Sequence, residues 1–287
     1  MGDVLQLYPT PTQSLPLHGL YLAHNLRRFA EETETPFVYT NYITSLDGRI
    51  AIPHPTLRHS SGQARPGLTI PKAIANERDW RLFQELAVQA DVLITSGRYL
   101  RDYAEGRAQE ILTVYANPRF ADLAEWRTAQ GLPPYPALAV ISASLDFPIP
   151  RELAERTVLV FTIEEADPNR IRELERQGTQ VIVGEKTTVD GAKLVAALSA
   201  RGYRTIYNAT GPKVMHLLLK AGVLNRLYLT HANRILGGEP FSSIVEGDLL
   251  EPAADFRLQA LYLDAEGVEG LGQVFGVYEQ IKNEVDC

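Results

Sequence analysis

Residues 205–230 read TIYNATGPKVMHLLLKAGVLNRLYLT, and this stretch decides the class of fold. Thr205–Asn208 is a short β-rich run. Ala209-Thr210-Gly211 is a small-residue turn, and Pro212 suits a first helical turn, where a missing N–H costs nothing. Lys213–Ala221 has apolar residues at helical spacing and closes on Gly222; Arg226–Thr230 is again β-rich. A strand, a helix and a second strand in about 25 residues set the alternation from which a mixed sheet with helices on its faces is built.

The same alternation extends outward. Phe37–Thr44, Asp91–Thr95, Ala137–Ser142, Thr157–Thr162 and Gln180–Val183 read as strands. Lys72–Gln89, Glu164–Gln177 (closed by Gly178) and Gly191–Ala200 read as helices. At the end, Asp255–Asp264 and Gln273–Lys282 flank the Gly-rich Ala265–Gly272 and read as an antiparallel hairpin. The expectation is an α/β fold: a mixed, mostly parallel central sheet, helices on both faces, and a C-terminal antiparallel hairpin. Residues 1–35 read as an N-terminal extension, with Pro9, Pro11 and Pro16 leaving the first dozen residues disordered and a capping helix over His18–Glu32. Residues 36–287 form the main domain, without a linker or an internal repeat.

Of the 287 residues, 45% are hydrophobic and 22% charged, enough to bury a large core. A net charge of -7 disfavours nucleic acid and anionic membranes as partners but leaves room for a local basic pocket. The only cysteine, Cys287, excludes an intramolecular disulfide and a thiolate metal cluster. Met1-Gly2-Asp3-Val4 opens no signal peptide, and apolar runs such as Ala137–Ile141 and Thr157–Phe161 are too short to span a bilayer. The chain reads as soluble and cytoplasmic. Its six histidines lack metal-ligand spacing, the His54/His59 pair included, and His216 and His231 are expected in packing or solvent.

Four turns carry polar groups where open α/β sheets place ligands. Asn41–Ala51 holds Asn41, Thr44, Ser45 and Asp47, with Gly48 permitting a tight turn. Asp91–Leu100 ends in Ser96-Gly97-Arg98, whose amides could cradle phosphate and whose guanidinium could pair with the 2′-phosphate that separates NADP from NAD. Gly211-Pro212-Lys213 opens a helix and would favour a pyrophosphate. Arg234–Pro240 carries the Gly237-Gly238 pair. Each is equally readable, alone, as a plain connector. No G-x-G-x-x-G motif follows the first strand, Gly270-Leu271-Gly272 precedes no helix, and no phosphate-binding P-loop or G-x-S-x-G elbow occurs.

In order, these segments resemble the pyrimidine reductases of riboflavin synthesis, a family of dihydrofolate reductase-like fold. Ser45-Leu46-Asp47-Gly48 matches the family's S-L-D-G motif, Asp91–Leu100 its Asp-led strand and loop, and Ala139–Ser142 and Leu159–Thr162 its next two strand ends. Ala221–Arg226 and Ile235–Gly238 stand at its A-G-L-[VI]-D-E and P-x-L-x-G-G segments, so the likeness runs over residues 37–280. It implies NADPH as hydride donor and a homodimer. Thr44, Ser96, Gly97, Ser142, Thr162 and Gly211-Pro212-Lys213 would bind the cofactor, joined by Arg98 on the phosphate chemistry above; Asn41 and Ser45 would meet the substrate, and Asp47 would be the catalytic residue at their junction; no metal is implied. The family's E-G-G glutamate falls on Ala209 and its next residue on Thr210. The tryptophan before the long helix falls near Leu68, that helix's arginine on Ala87, and the second-loop threonine on Tyr99. Losing a glutamate and an arginine removes groups that would hold a phosphoribosylamino-uracil. Two functions stay open. One is a reductase acting on the riboflavin intermediate or on another small heterocycle or carbonyl; the other is a nucleotide-binding protein that keeps the fold without turnover.

Overall fold

A computed structural model describes residues 2–58, 66–153 and 155–282. His59 and Cys287 therefore lie outside the described residues. In chain order the elements are β1 (Asp3–Tyr8), β2 (Gln13–Pro16), α1 (Leu26–Thr33), β3 (Phe37–Thr44), β4 (Ile52–Arg58), β5 (Pro66–Thr69), α2 (Glu77–Ala87), β6 (Val92–Ser96) and α3 (Gly97–Ala104). Then follow α4 (Ala121–Ala129), β7 (Ala137–Ile141), β8 (Val158–Thr162), α5 (Pro168–Arg176), β9 (Gln180–Val183), α6 (Gly191–Ser199), β10 (Thr205–Asn208), α7 (Pro212–Lys220), β11 (Arg226–Ala232), β12 (Phe256–Asp264) and β13 (Gln273–Gln280). The chain divides into two compact units.

One unit comprises Asn25–Val38 and Gln84–Thr210. Its strands run β10-β6-β7-β8-β9, every pair parallel. Every residue of β8, and four of five in β6, is buried, as apolar runs covered on both faces must be. Asp91, just before β6, accepts the N–H groups of Arg204 at 2.8 Å and Thr205 at 3.0 Å, and the Arg27 guanidinium at 2.5 Å. One carboxylate thus ties the starts of β6 and β10 to α1. Buried Arg127 of α4 donates to the carbonyls of Val88 at 2.7 Å, Ala90 at 2.9 Å and Pro133 at 2.6 Å, so a cation sits at the C-terminal end of α2.

The other unit comprises Met1–His24, Tyr39–Phe83 and Gly211–Cys287. Its sheet runs β2-β1-β12-β13-β11-β3. β3 and β11 are parallel, and the remaining neighbours are antiparallel. β4 and β5 form a separate antiparallel pair. The fold class is therefore mixed α/β with the expected C-terminal hairpin, β12–β13. The first dozen residues are not disordered, as their prolines suggested. Val4 and Gln6 of β1 turn inward beside β12, while Pro9 and Pro11 lie between β1 and β2, where no ladder N–H is needed. The helix expected over His18–Glu32 begins only at Leu26.

Around the N-terminal segment, His24 lies between two tyrosines, its Nδ1 2.9 Å from the Tyr228 hydroxyl and its Nε2 3.0 Å from that of Tyr262. Burial foremost, and then the Arg226 charge, push its pKa down to about 4. A group that stays neutral when folded but protonates near 6.5 when unfolded contributes stability that is complete above pH 6.5 and is lost as pH falls toward 4. The loss should be at most about 3 kcal/mol, reduced by the residue's remaining exposure. Urea midpoints from pH 7 to 4 will check this: the wild type should lose more stability than His24→Gln, and parallel curves would contradict it.

Candidate active site

β3 ends at the Ser45–Arg49 turn, which closes on itself. Ser45 N–H donates to the Arg49 carbonyl at 3.0 Å, Arg49 N–H to Ser45 Oγ at 3.1 Å, and Gly48 N–H to the Ser45 carbonyl at 2.9 Å. Gly48 has φ of +79°, which a side chain would strain. The turn presents Asp47 to the loop after β11. Asp47 Oδ1 accepts Ser45 Oγ–H at 2.6 Å and Leu236 N–H at 3.1 Å; Oδ2 accepts Gly237 N–H at 2.9 Å and Arg49 Nε–H at 3.1 Å. The Ser45 hydroxyl, followed by the two amides, holds this carboxyl far below the usual carboxylate range. Asp47 is thus a fixed anion with both oxygens engaged, suited to fixing a loop rather than to exchanging protons. Arg49 extends the clamp, donating to the Pro240 carbonyl at 3.1 Å and lying over the Phe241 ring at 4.7 Å from its centroid. Of the two proposed substrate contacts, Ser45 is consumed in this turn, and Asn41 stands in mid-strand opposite Tyr228 of β11.

Beside that turn, Thr44 is paired in register with His231 of β11, its Oγ1 3.3 Å from His231 Nδ1 and 3.5 Å from the Thr230 carbonyl. Burial lowers the His231 pKa. The Thr230 hydroxyl donates to Asp79 Oδ1 at 2.6 Å. Burial pushes Asp79 up to about 6 against that hydrogen bond. Sequence reading passed over Asp79: an acid in the first turn of a helix reads as a partner for the helix dipole. Its spacing from Thr230, 151 residues away, carries no local signal.

In the other unit, Ser96 caps α3, its side chain accepting Tyr99 N–H at 3.3 Å. The turn expected at Ser96–Arg98 is thus the opening of a helix. A Cβ on Gly97 would lie 2.6 Å from the Phe147 ring and 2.9 Å from Ser142 Oγ, so the chain's own Phe147 covers this glycine. Ser142 Oγ also accepts Leu145 N–H at 3.1 Å. Arg98 is 40% exposed and pairs with Asp102 at 3.4 Å. Thr162 is fully buried, and its Oγ1 has no hydrogen-bond partner among the described residues. Where relatives would carry polar groups, Ala87 is fully buried, and the Tyr99 hydroxyl donates to the Gln109 carbonyl at 3.2 Å.

Gly211, the N-cap of α7, makes no side-chain cap, and a Cβ on it would meet nothing within 4 Å. Pro212 occupies the first turn and Lys213 is exposed. The structure therefore groups the predicted residues in two ways. Thr44, Ser45 and Asp47 share one strand end, with Asn41 further back in mid-strand, and Ser142 stands against Gly97.

Over 94 residues the chain is 28% identical to the 2,5-diamino-6-ribosylamino-4(3H)-pyrimidinone 5′-phosphate reductase of Aquifex aeolicus (strain VF5), a match that covers 33% of this chain and 42% of that protein. Its fold is similar to that of a pyrimidine reductase-like protein from Corynebacterium diphtheriae, with a TM-score of 0.62, 24% identity, and 86% and 93% of the two chains covered. It is also similar to that of the riboflavin biosynthesis reductase Rib7 from Saccharomyces cerevisiae, with a TM-score of 0.54, 14% identity, and 91% and 99% covered. Residues 36–268 match the model of the RibD C-terminal domain, and the chain belongs to that family.

Proposed function

We propose that this protein is an NADPH-dependent reductase that delivers hydride to a small heterocycle or carbonyl compound. Family membership supports the reaction class. The observation that carries the cofactor is the uncapped N-terminus of α7, where Gly211 faces open space beside the exposed Lys213. Free amides, a dipole and a cation there suit a pyrophosphate. Arg98 is the residue proposed to pair with a 2′-phosphate, since a guanidinium binds phosphate bidentately. Ser96, Gly97 and Ser142 are engaged within the chain and would act by shaping backbone. When bound, reduced nicotinamide supplies the hydride. The chain's task is then to orient the rings and exclude water.

Asp47 serves in this reading as a positioning residue for the Leu236–Pro240 loop, not as an acid. Ala209, Ala87 and Tyr99 point to a substrate other than the phosphoribosylamino-uracil. We further propose a cytoplasmic homodimer. Leu5 and Leu7 of β1 are exposed, and Leu5, Leu263 and Val274 share one uncharged row across β1, β12 and β13. No helix among the described residues is long and apolar enough to cross a membrane.

Calorimetric titration should show NADPH binding more tightly than NADH, with Arg98→Ala costing NADPH about tenfold and NADH nothing. Equal affinity of the wild type for both cofactors would refute the Arg98 role, and binding without absorbance loss on any candidate substrate would favour the non-catalytic reading. Asp47→Asn should speed hydrogen exchange at the Leu236 and Gly237 amides by about tenfold while leaving global stability close to wild type; unchanged exchange contradicts the clamp. In sedimentation, the wild type should run as a dimer and Leu263→Lys as a monomer, and a wild-type monomer would dismiss the interface.

A further inference from the structure

Reduction of a C=N or C=O bond consumes a hydride and a proton, and the S-L-D-G carboxylate is too firmly bound to supply the proton. Within the unit that holds Asp47, Asp79 is placed differently. It sits in the first turn of α2, its backbone N–H bonded to Asn76 Oδ1 at 2.9 Å. The Thr230 hydroxyl reaches Oδ1 at 2.6 Å, whereas Oδ2 has no partner among the described residues. The neighbouring cation, Arg78, is spent on Asp264 at 2.8 Å and Glu266 at 3.0 Å. From β11 the carboxyl faces Thr230, whose carbonyl takes the Thr44 hydroxyl of β3; Thr44 in turn approaches His231. Ile43, Ile74, Ala232 and Leu236, on or next to these elements, form an apolar cluster. The carboxyl is half-buried, oriented by one hydroxyl, free on one oxygen, and set at the ends of the parallel pair β3–β11.

We propose, resting on the reductase reading above, that Asp79 donates the proton of the reduction and that the Thr230 hydroxyl orients it. As the acceptor carbon gains hydride, the π electrons of its C=N or C=O bond pass to the heteroatom. The Asp79 O–H bond breaks, its proton goes to that heteroatom, and the bonding pair stays on the carboxylate. Water then returns a proton to Asp79. Burial supports the role, because a carboxyl raised to about 6 is protonated in a useful fraction near neutral pH, and that fraction falls as pH rises. The pKa shift arises from burial, opposed by the Thr230 hydrogen bond.

The test is a carbon-13 NMR titration of the full chain labelled at aspartate carboxyls, with Asp79→Asn to assign the signal. A midpoint near 6 that Thr230→Val moves upward is expected, since the lost bond favoured the anion. A midpoint below about 4.5 overturns the proposal whatever the rates. In parallel, NADPH oxidation is followed with a panel of small cyclic imines and ketones as the probes, using whichever compound the wild type reduces fastest. Asp79→Asn should slow it about 100-fold and flatten its decline above pH 6, with NADPH affinity within threefold of wild type. An Asn variant with wild-type rate and pH profile overturns the proposal as well. Failure of the wild type to bind NADPH would instead sink the reductase reading, and the NMR midpoint would still decide whether Asp79 can hold the proton.

Discussion

A single carboxylate joins the two segments on which the candidate site is built. Asp47 lies just beyond β3, and the loop it binds lies just beyond β11, 189 residues away for Leu236. Because those strands are parallel neighbours, their ends emerge side by side, and a charged acceptor between them can collect amides from one and a hydroxyl from the other. Charge-assisted bonds of this kind are about twice as strong as neutral ones, and four of them on one group leave it neither mobile nor basic. The hydrogen bonds of the S-L-D-G motif thus also build the turn and its link to the β11 loop. Ser45 shares its proton with Asp47, Gly48 makes the turn possible, and Asp47 binds the amides of Leu236 and Gly237 in the Gly-Gly loop.

Fixing one carboxylate as an anion changes what its neighbourhood can do. Chemistry that needs a proton has to draw it from a group with fewer partners, and among the described residues only Thr230 bonds the Asp79 side chain. The two acids show one principle from opposite sides: hydrogen-bond donors lower a carboxyl pKa and desolvation raises it. In the other unit, Ser96 and Ser142 spend their hydroxyls on backbone amides, which builds the loops.

Much of the fold was legible in the chain. β3, β9 and β10 occur with the bounds that their patterns predict, and α7 and the β12–β13 hairpin differ by a residue or two. These elements carry strong periodicity or β-branched runs with Gly or Pro at their ends. Less legible were β1 and β2, whose prolines looked like breakers but lie in or at the edge of a turn, and α3, whose start looked like a loop because Ser, Gly and Arg serve both.

The candidate site was legible in part. Thr44, Ser45, Asp47 and Gly211 stand at strand or helix ends, as alternation of strand and helix requires, so local pattern alone determined where polar groups would collect. Pattern could not say how those groups are spent. The hydrogen bonds that decide protonation join Asp47 to Leu236 and Asp79 to Thr230, across 189 and 151 residues. Such pairings exist only once the strands have taken their register. The chain by itself therefore determined the class of fold and which polar residues stand at strand and helix ends. Tertiary structure decided how many donors each carboxyl meets and how deeply it is buried, because both are properties of the packed molecule.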